Sequence, residues 1–102
     1  MKLQDLLKKV DIVTIKGDEA KEVKMICTDS RNVGRGALFI AIRGVQVDGH
    51  NYVESAIEQG ATVIVYEEDT IKTDAKDITF VKIKHSADAS GVIATHWYGD
   101  PS

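Results

Sequence analysis

Apolar residues along this chain follow two rhythms, and each change of rhythm marks an element. Leu3, Leu6 and Leu7 are spaced i, i+3, i+4, which predicts a short amphipathic helix. Ile12 to Ile15 is a β-branched run closed by Lys16-Gly17-Asp18 and predicts a strand. From Glu22 to Thr28 the pattern alternates, with Val23, Met25 and Cys27 on one side and Lys24, Ile26 and Thr28 on the other. That is a strand with two unlike faces. Ala37 to Ile42 is apolar throughout, as expected of a strand covered on both faces.

The rhythm then becomes helical. Asn51 to Gln59 puts Tyr52, Val53, Ala56 and Ile57 on one face and Glu54 and Glu58 on the other, and Gly60 stands where a helix C-cap is wanted. Thr62 to Tyr66 is a second β-branched run. Strand, helix and strand with short connections make a βαβ unit, two parallel strands joined by a right-handed crossover. Glu67 to Asp77 is charged and reads as a surface loop, and Thr79 to Ile83 as a further strand. Ser86 is placed to N-cap a last helix with Val92, Ile93 and Trp97 on its apolar side. Gly91 within that helix costs it roughly 1 kcal/mol relative to alanine. The fold class is therefore α/β, a small mixed, partly parallel sheet flanked by helices. Residues 1–98 form the domain, and 99–102, with the only proline, begin a linker.

Composition narrows the function classes. A chain of 102 residues is one domain, and a net charge of −3 gives no reason to expect nucleic acid or an anionic membrane as partner. No apolar run approaches 20 residues and no N-terminal signal is present, which points to a cytoplasmic protein. The single Cys27 fits a reducing compartment and reads as a small hydrophobe in a strand rather than a nucleophile. His50, His85 and His96 have no metal-ligand spacing, so no metal site is expected, and no catalytic residue either.

Candidate chemistry is concentrated between Thr28 and His50. The turn Thr28-Asp29-Ser30-Arg31 precedes the strand Leu38-Phe39-Ile40-Ala41, which leads through Arg43-Gly44 to Asp48-Gly49-His50 and a helix. Hydroxyl, amide and guanidinium donors then lie at the ends of neighbouring strands, where an anion can be held. Asp48 and His50 read better as helix caps than as ligand contacts. Arg31 reads better as a donor to backbone or to Asp29 than as a phosphate ligand, and Arg43 as an exposed arginine near a turn.

These residues, with Gly60-Ala61 and the closing Trp97-Tyr98-Gly99-Asp100-Pro101-Ser102, resemble the N-terminal domain of the Mur ligases. The branch most resembled adds the third amino acid to UDP-N-acetylmuramoyl-L-Ala-D-Glu. The resemblance implies a uridine-nucleotide-binding domain of an ATP-dependent ligase of peptidoglycan synthesis. It also implies ATP and magnesium in the parent enzyme, but no cofactor in this domain. Its partners would be the UDP-linked muramoyl dipeptide and separate ATP-binding and C-terminal domains. No Gly-x-x-x-x-Gly-Lys-Ser/Thr occurs here, so the chain alone is expected to be inactive. Trp97 and Tyr98 would then face the ATP domain. By the same resemblance Ser30 contacts the nucleotide, and Val45, Gln46 and Val47 close over the uridine. Thr28, two positions before Ser30 on the same side of its strand, reads either as lining the uracil pocket or as a surface β-former. The Gln46 amide offers one donor and one acceptor to an imide edge. Two alternatives stand: the first domain of the D-Ala-D-Ala-adding ligase, or a free-standing binding or interaction module without catalysis.

Overall fold

The computed structural model describes residues 2–41, 52–67 and 77–99, with the side chains of Ser30, Ser86 and Ala87 left aside. The element order is α1 (Leu3–Leu6), β1 (Ile12–Lys16), β2 (Met25–Cys27), a 3-10 turn (Ser30–Asn32), β3 (Ala37–Ile40), α2 (Val53–Gln59), β4 (Ala61–Tyr66), β5 (Thr79–Ile83) and α3 (Ser86–Tyr98). Among the described residues the strands form one five-stranded sheet in the order β1-β5-β4-β3-β2. Strands β2 to β5 are mutually parallel, and β1 closes one edge antiparallel to β5. The mixed α/β class and the parallel β3-α2-β4 unit are as the sequence predicts.

All of β3 is buried, and its alternation feeds two cores. Leu38 and Ile40 join Val63, Val65, Val81 and Ile83 under Leu3, Leu6 and Leu7 of the N-terminal segment and Ala89 and Ile93 of α3. Ala37 and Phe39 join Ile64 and Tyr66 under Val53 and Ala56 of α2, with Val33 beside them. Helices thus cover both faces, which removes water from side chains of either parity. The α1–α3 layer is also tied by His96, whose Nδ1 lies 3.1 Å from the Leu6 carbonyl.

Three expectations need correction. The strand foreseen over Glu22–Thr28 is only Met25–Cys27, since Glu22 makes an isolated bridge to Lys2 instead of entering the ladder. Val23 accordingly packs in the same core as Ile26, not with Met25 and Cys27. Tyr52, placed on the apolar face of α2, is the N-cap and is 41% exposed. Ser86 is the first residue of α3 rather than its cap. His85 takes the cap position with extended backbone and makes no side-chain capping bond. Ile42, Asn51, residues 68–76 of the expected surface loop and residues 100–102 lie outside the described residues.

Gly60 ends α2 as expected, in the left-handed region at φ 119°, with its N–H 3.1 Å from the Ile57 carbonyl. Gly91 differs: a Cβ there would meet nothing within 4 Å. Gly91→Ala is therefore expected to raise the unfolding free energy by about 0.5–1 kcal/mol, read from the midpoint of a urea curve. A lower midpoint would show a constraint on Gly91 beyond backbone freedom.

Candidate functional site

The parallel strands give the sheet two unlike ends. At the amino end the connections are packed tightly. The Gly36 N–H donates to the Gly60 carbonyl at 3.0 Å, and the Thr79 hydroxyl donates to the Asp18 carbonyl at 3.1 Å. Lys21 Nζ donates to the carbonyls of Asp77 and Thr62. These bonds tie the connections of this end together through backbone carbonyls, while the buried Thr62 hydroxyl beside them has no hydrogen-bond partner among the described residues.

The carboxyl end carries the polar turn. In β2, Met25, Ile26 and Cys27 pair with Ala37, Leu38 and Phe39 of β3, so Thr28 emerges beside Ile40, exposed to solvent. The 3-10 turn Ser30–Asn32 follows at once and contacts α2. β3 ends next to it, where the Ala41 N–H donates to the Val65 carbonyl at 2.8 Å. Tyr66 ends β4 at the same edge, 6.4 Å from Phe80 in an edge-to-face pair. Thr28 and the Ser30 turn therefore lie beside the carboxyl end of β3. Val45, Gln46 and Val47, like Arg43, Asp48 and His50, lie outside the described residues.

Arg31 is where its spacing from Asp29 places it. Its guanidinium Nη2 is 2.9 Å from Asp29 Oδ2, and its backbone N–H donates to Asp29 Oδ1 at 2.9 Å. The Arg31 side chain, and then its N–H, hold the Asp29 carboxyl below the usual range. Cys27 has the opposite sign: burial, and secondarily the Asp29 charge, push its thiol up to about 11. An unfolded thiol ionises at about 8.5, so between these values the unfolded chain holds fewer protons and stability falls as pH rises. At pH 8 the folded chain is expected to react with a thiol reagent about 100-fold slower than the chain in urea. Equal rates would show an exposed, ionisable Cys27.

No group of three or more His, Cys, Asp or Glu among the described residues is placed to hold a metal ion. A small cavity of about 50 Å³ lies between Lys9, Val10 and Asp11 and the His85–Val92 side of α3. It has room for water but not for a nucleotide. Lys21 was not foreseen as a tether, because its partners lie 41 and 56 positions away and no local pattern marks them. Trp97 packs half-buried on the core of α1 and α3, whereas Tyr98 is 79% exposed.

An open, mostly parallel α/β sheet covered by helices on both faces defines the class of α/β domains in which a ligand, where one is bound, lies beyond the carboxyl ends of the strands. Within that class this chain belongs to the Mur ligase family: the family model described as "Mur ligase family, catalytic domain" matches residues 22–98. Over its whole length the chain is 41% identical to the UDP-N-acetylmuramoyl-L-alanyl-D-glutamate–2,6-diaminopimelate ligase of Cytophaga hutchinsonii. It is 44% identical to the ligase of the same name from Bacteroides thetaiotaomicron. The chain spans about a fifth of the length of these curated relatives, 21% in each. Among solved structures it resembles the UDP-N-acetylmuramoylalanyl-D-glutamyl-2,6-diaminopimelate–D-alanyl-D-alanyl ligase of Acinetobacter baumannii. The TM-score is 0.69 at 24% identity, covering 94% of this chain and 21% of that one, a likeness of fold.

Proposed function

We propose that this chain is the N-terminal, uridine-nucleotide-holding domain of a cytoplasmic peptidoglycan ligase that adds the third amino acid to UDP-N-acetylmuramoyl-L-Ala-D-Glu. The observation that carries this reading is the match along all 102 residues to ligases named for that reaction. The position of Thr28 and the Ser30 turn at the carboxyl edge of β2 supports it. The D-Ala-D-Ala-adding alternative draws on fold neighbours of 24% and 26% identity, against 41% and 44% for the ligases named for the third-amino-acid step.

In this reading the domain acts through binding and contributes no reacting group. Thr28 and Ser30, with Val45, Gln46 and Val47, hold the UDP moiety. That remote binding energy fixes the far carboxylate for chemistry elsewhere in the parent enzyme. ATP and magnesium belong to the parent enzyme, since this chain has no phosphate-loop sequence. The chain alone is inactive as a ligase.

Calorimetric titration with UDP, ADP and GDP tests the base preference. UDP is expected to bind with Kd roughly 0.1 to several mM, about 4–5 kcal/mol, because the chain meets only part of the substrate. The purine nucleotides are expected to bind measurably more weakly. Equal affinity for all three would contradict a uridine site.

A further inference from the structure

Ser30 lies inside a turn closed by its neighbours. Asp29 Oδ1 accepts the Arg31 N–H at 2.9 Å, and the Asp29 carbonyl accepts the Asn32 N–H at 3.0 Å, so both closing bonds span residue 30. The Arg31 side chain folds back over the same carboxylate. Its Nε is 3.2 Å from each oxygen and its Nη2 is 2.9 Å from Oδ2. That side chain is 87% exposed, so packing explains little of its position. An exposed ion pair also adds little to stability. The arrangement does have an electrostatic consequence. The group that shapes the turn is itself an anion, at the edge where a diphosphate is to be held. A bare carboxylate there would repel that diphosphate, and the guanidinium laid on it cancels the charge.

We propose that Asp29 and Arg31 are positioning residues of the nucleotide site, Asp29 holding the backbone across Ser30 and Arg31 neutralising the carboxylate so that a diphosphate can approach. This rests on the uridine-nucleotide reading above. Arg31 acts through Asp29, on whose carboxylate its Nε–Nη2 edge lies.

The test is an NMR titration of the chain, of Arg31→Gln and of Asp29→Asn/Arg31→Gln, each with UDP and with uridine, which lacks the diphosphate. All three proteins should keep native amide dispersion, and Asn at 29 can still accept the residue-31 N–H. Arg31→Gln is expected to weaken UDP about 5- to 10-fold and uridine by less than about twofold, the difference shrinking at high salt. The double variant is expected to regain UDP affinity to within about twofold of the parent, since both charges are gone. Equal losses for UDP and uridine would reduce the pair to a structural role and overturn the proposal. So would a double variant as weak as the single one, which would make Arg31 a direct phosphate ligand. If the unsubstituted chain binds neither compound, the nucleotide reading fails and this proposal with it. Failure of the proposal alone requires a parent that binds UDP.

Discussion

Gly60→Ala is expected to lower the unfolding free energy by about 2–4 kcal/mol, a large share of the stability of a domain this small. Two costs act together. Residue 60 sits at φ 119°, where an L side chain is strained. A Cβ would also lie 2.8 Å from Arg35 Cα and 2.9 Å from Arg35 N. Those are backbone atoms of the turn that precedes β3, and the Gly36 N–H is hydrogen-bonded to the Gly60 carbonyl. Relief therefore requires moving the start of β3 or the end of α2. Urea denaturation of the two proteins reads the difference. A loss below about 0.5 kcal/mol would mean that the turn yields freely. The same substitution at Gly91 should have the opposite sign, so the pair separates backbone context from helix propensity.

Ser30→Ala is expected to weaken UDP binding about 10- to 100-fold, the factor for losing a hydrogen bond to a charged oxygen. The 3-10 turn is closed by Asp29, Arg31 and Asn32, and those bonds do not need the Ser30 hydroxyl. Stability should change by less than about 0.5 kcal/mol, because the bonds that close the turn are kept. Unchanged UDP affinity in the variant would take Ser30 out of the site. A parallel fall in stability would assign Ser30 to closing the turn.

Much of the architecture was legible because local pattern and global burial agree. Ala37 to Ile40 could only be a strand buried on both faces, and Val53 to Gln59 with Gly60 could only be its crossover helix. Legibility failed where a long-range partner overrides the local rhythm. The alternation from Glu22 to Thr28 is genuine in sequence, yet Glu22 pairs with Lys2 and Val23 turns into the core beneath α1. Tyr52 fits a helical stripe, but α2 begins only at Val53, which leaves the ring at the exposed cap. At the site, the Asp29–Arg31 pair was legible because its members stand two positions apart. The Lys21 tether was not, because its register is set by the fold. Antiparallel closure by β1 was equally invisible, since the strand direction of Ile12–Lys16 depends on pairing with β5 at the far end of the chain.

The central claim is that a uridine nucleotide binds at the carboxyl edge of β2 and β3. It is tested most directly by mapping amide shift changes on titration of the labelled chain with UDP, with ADP as control. Saturable changes confined to Thr28–Asn32, Ala41 and the following 45–47 segment, and given by UDP alone, are expected. No change at several millimolar UDP in a folded sample, or changes centred on the amino end near Lys21 and Thr79, would contradict it.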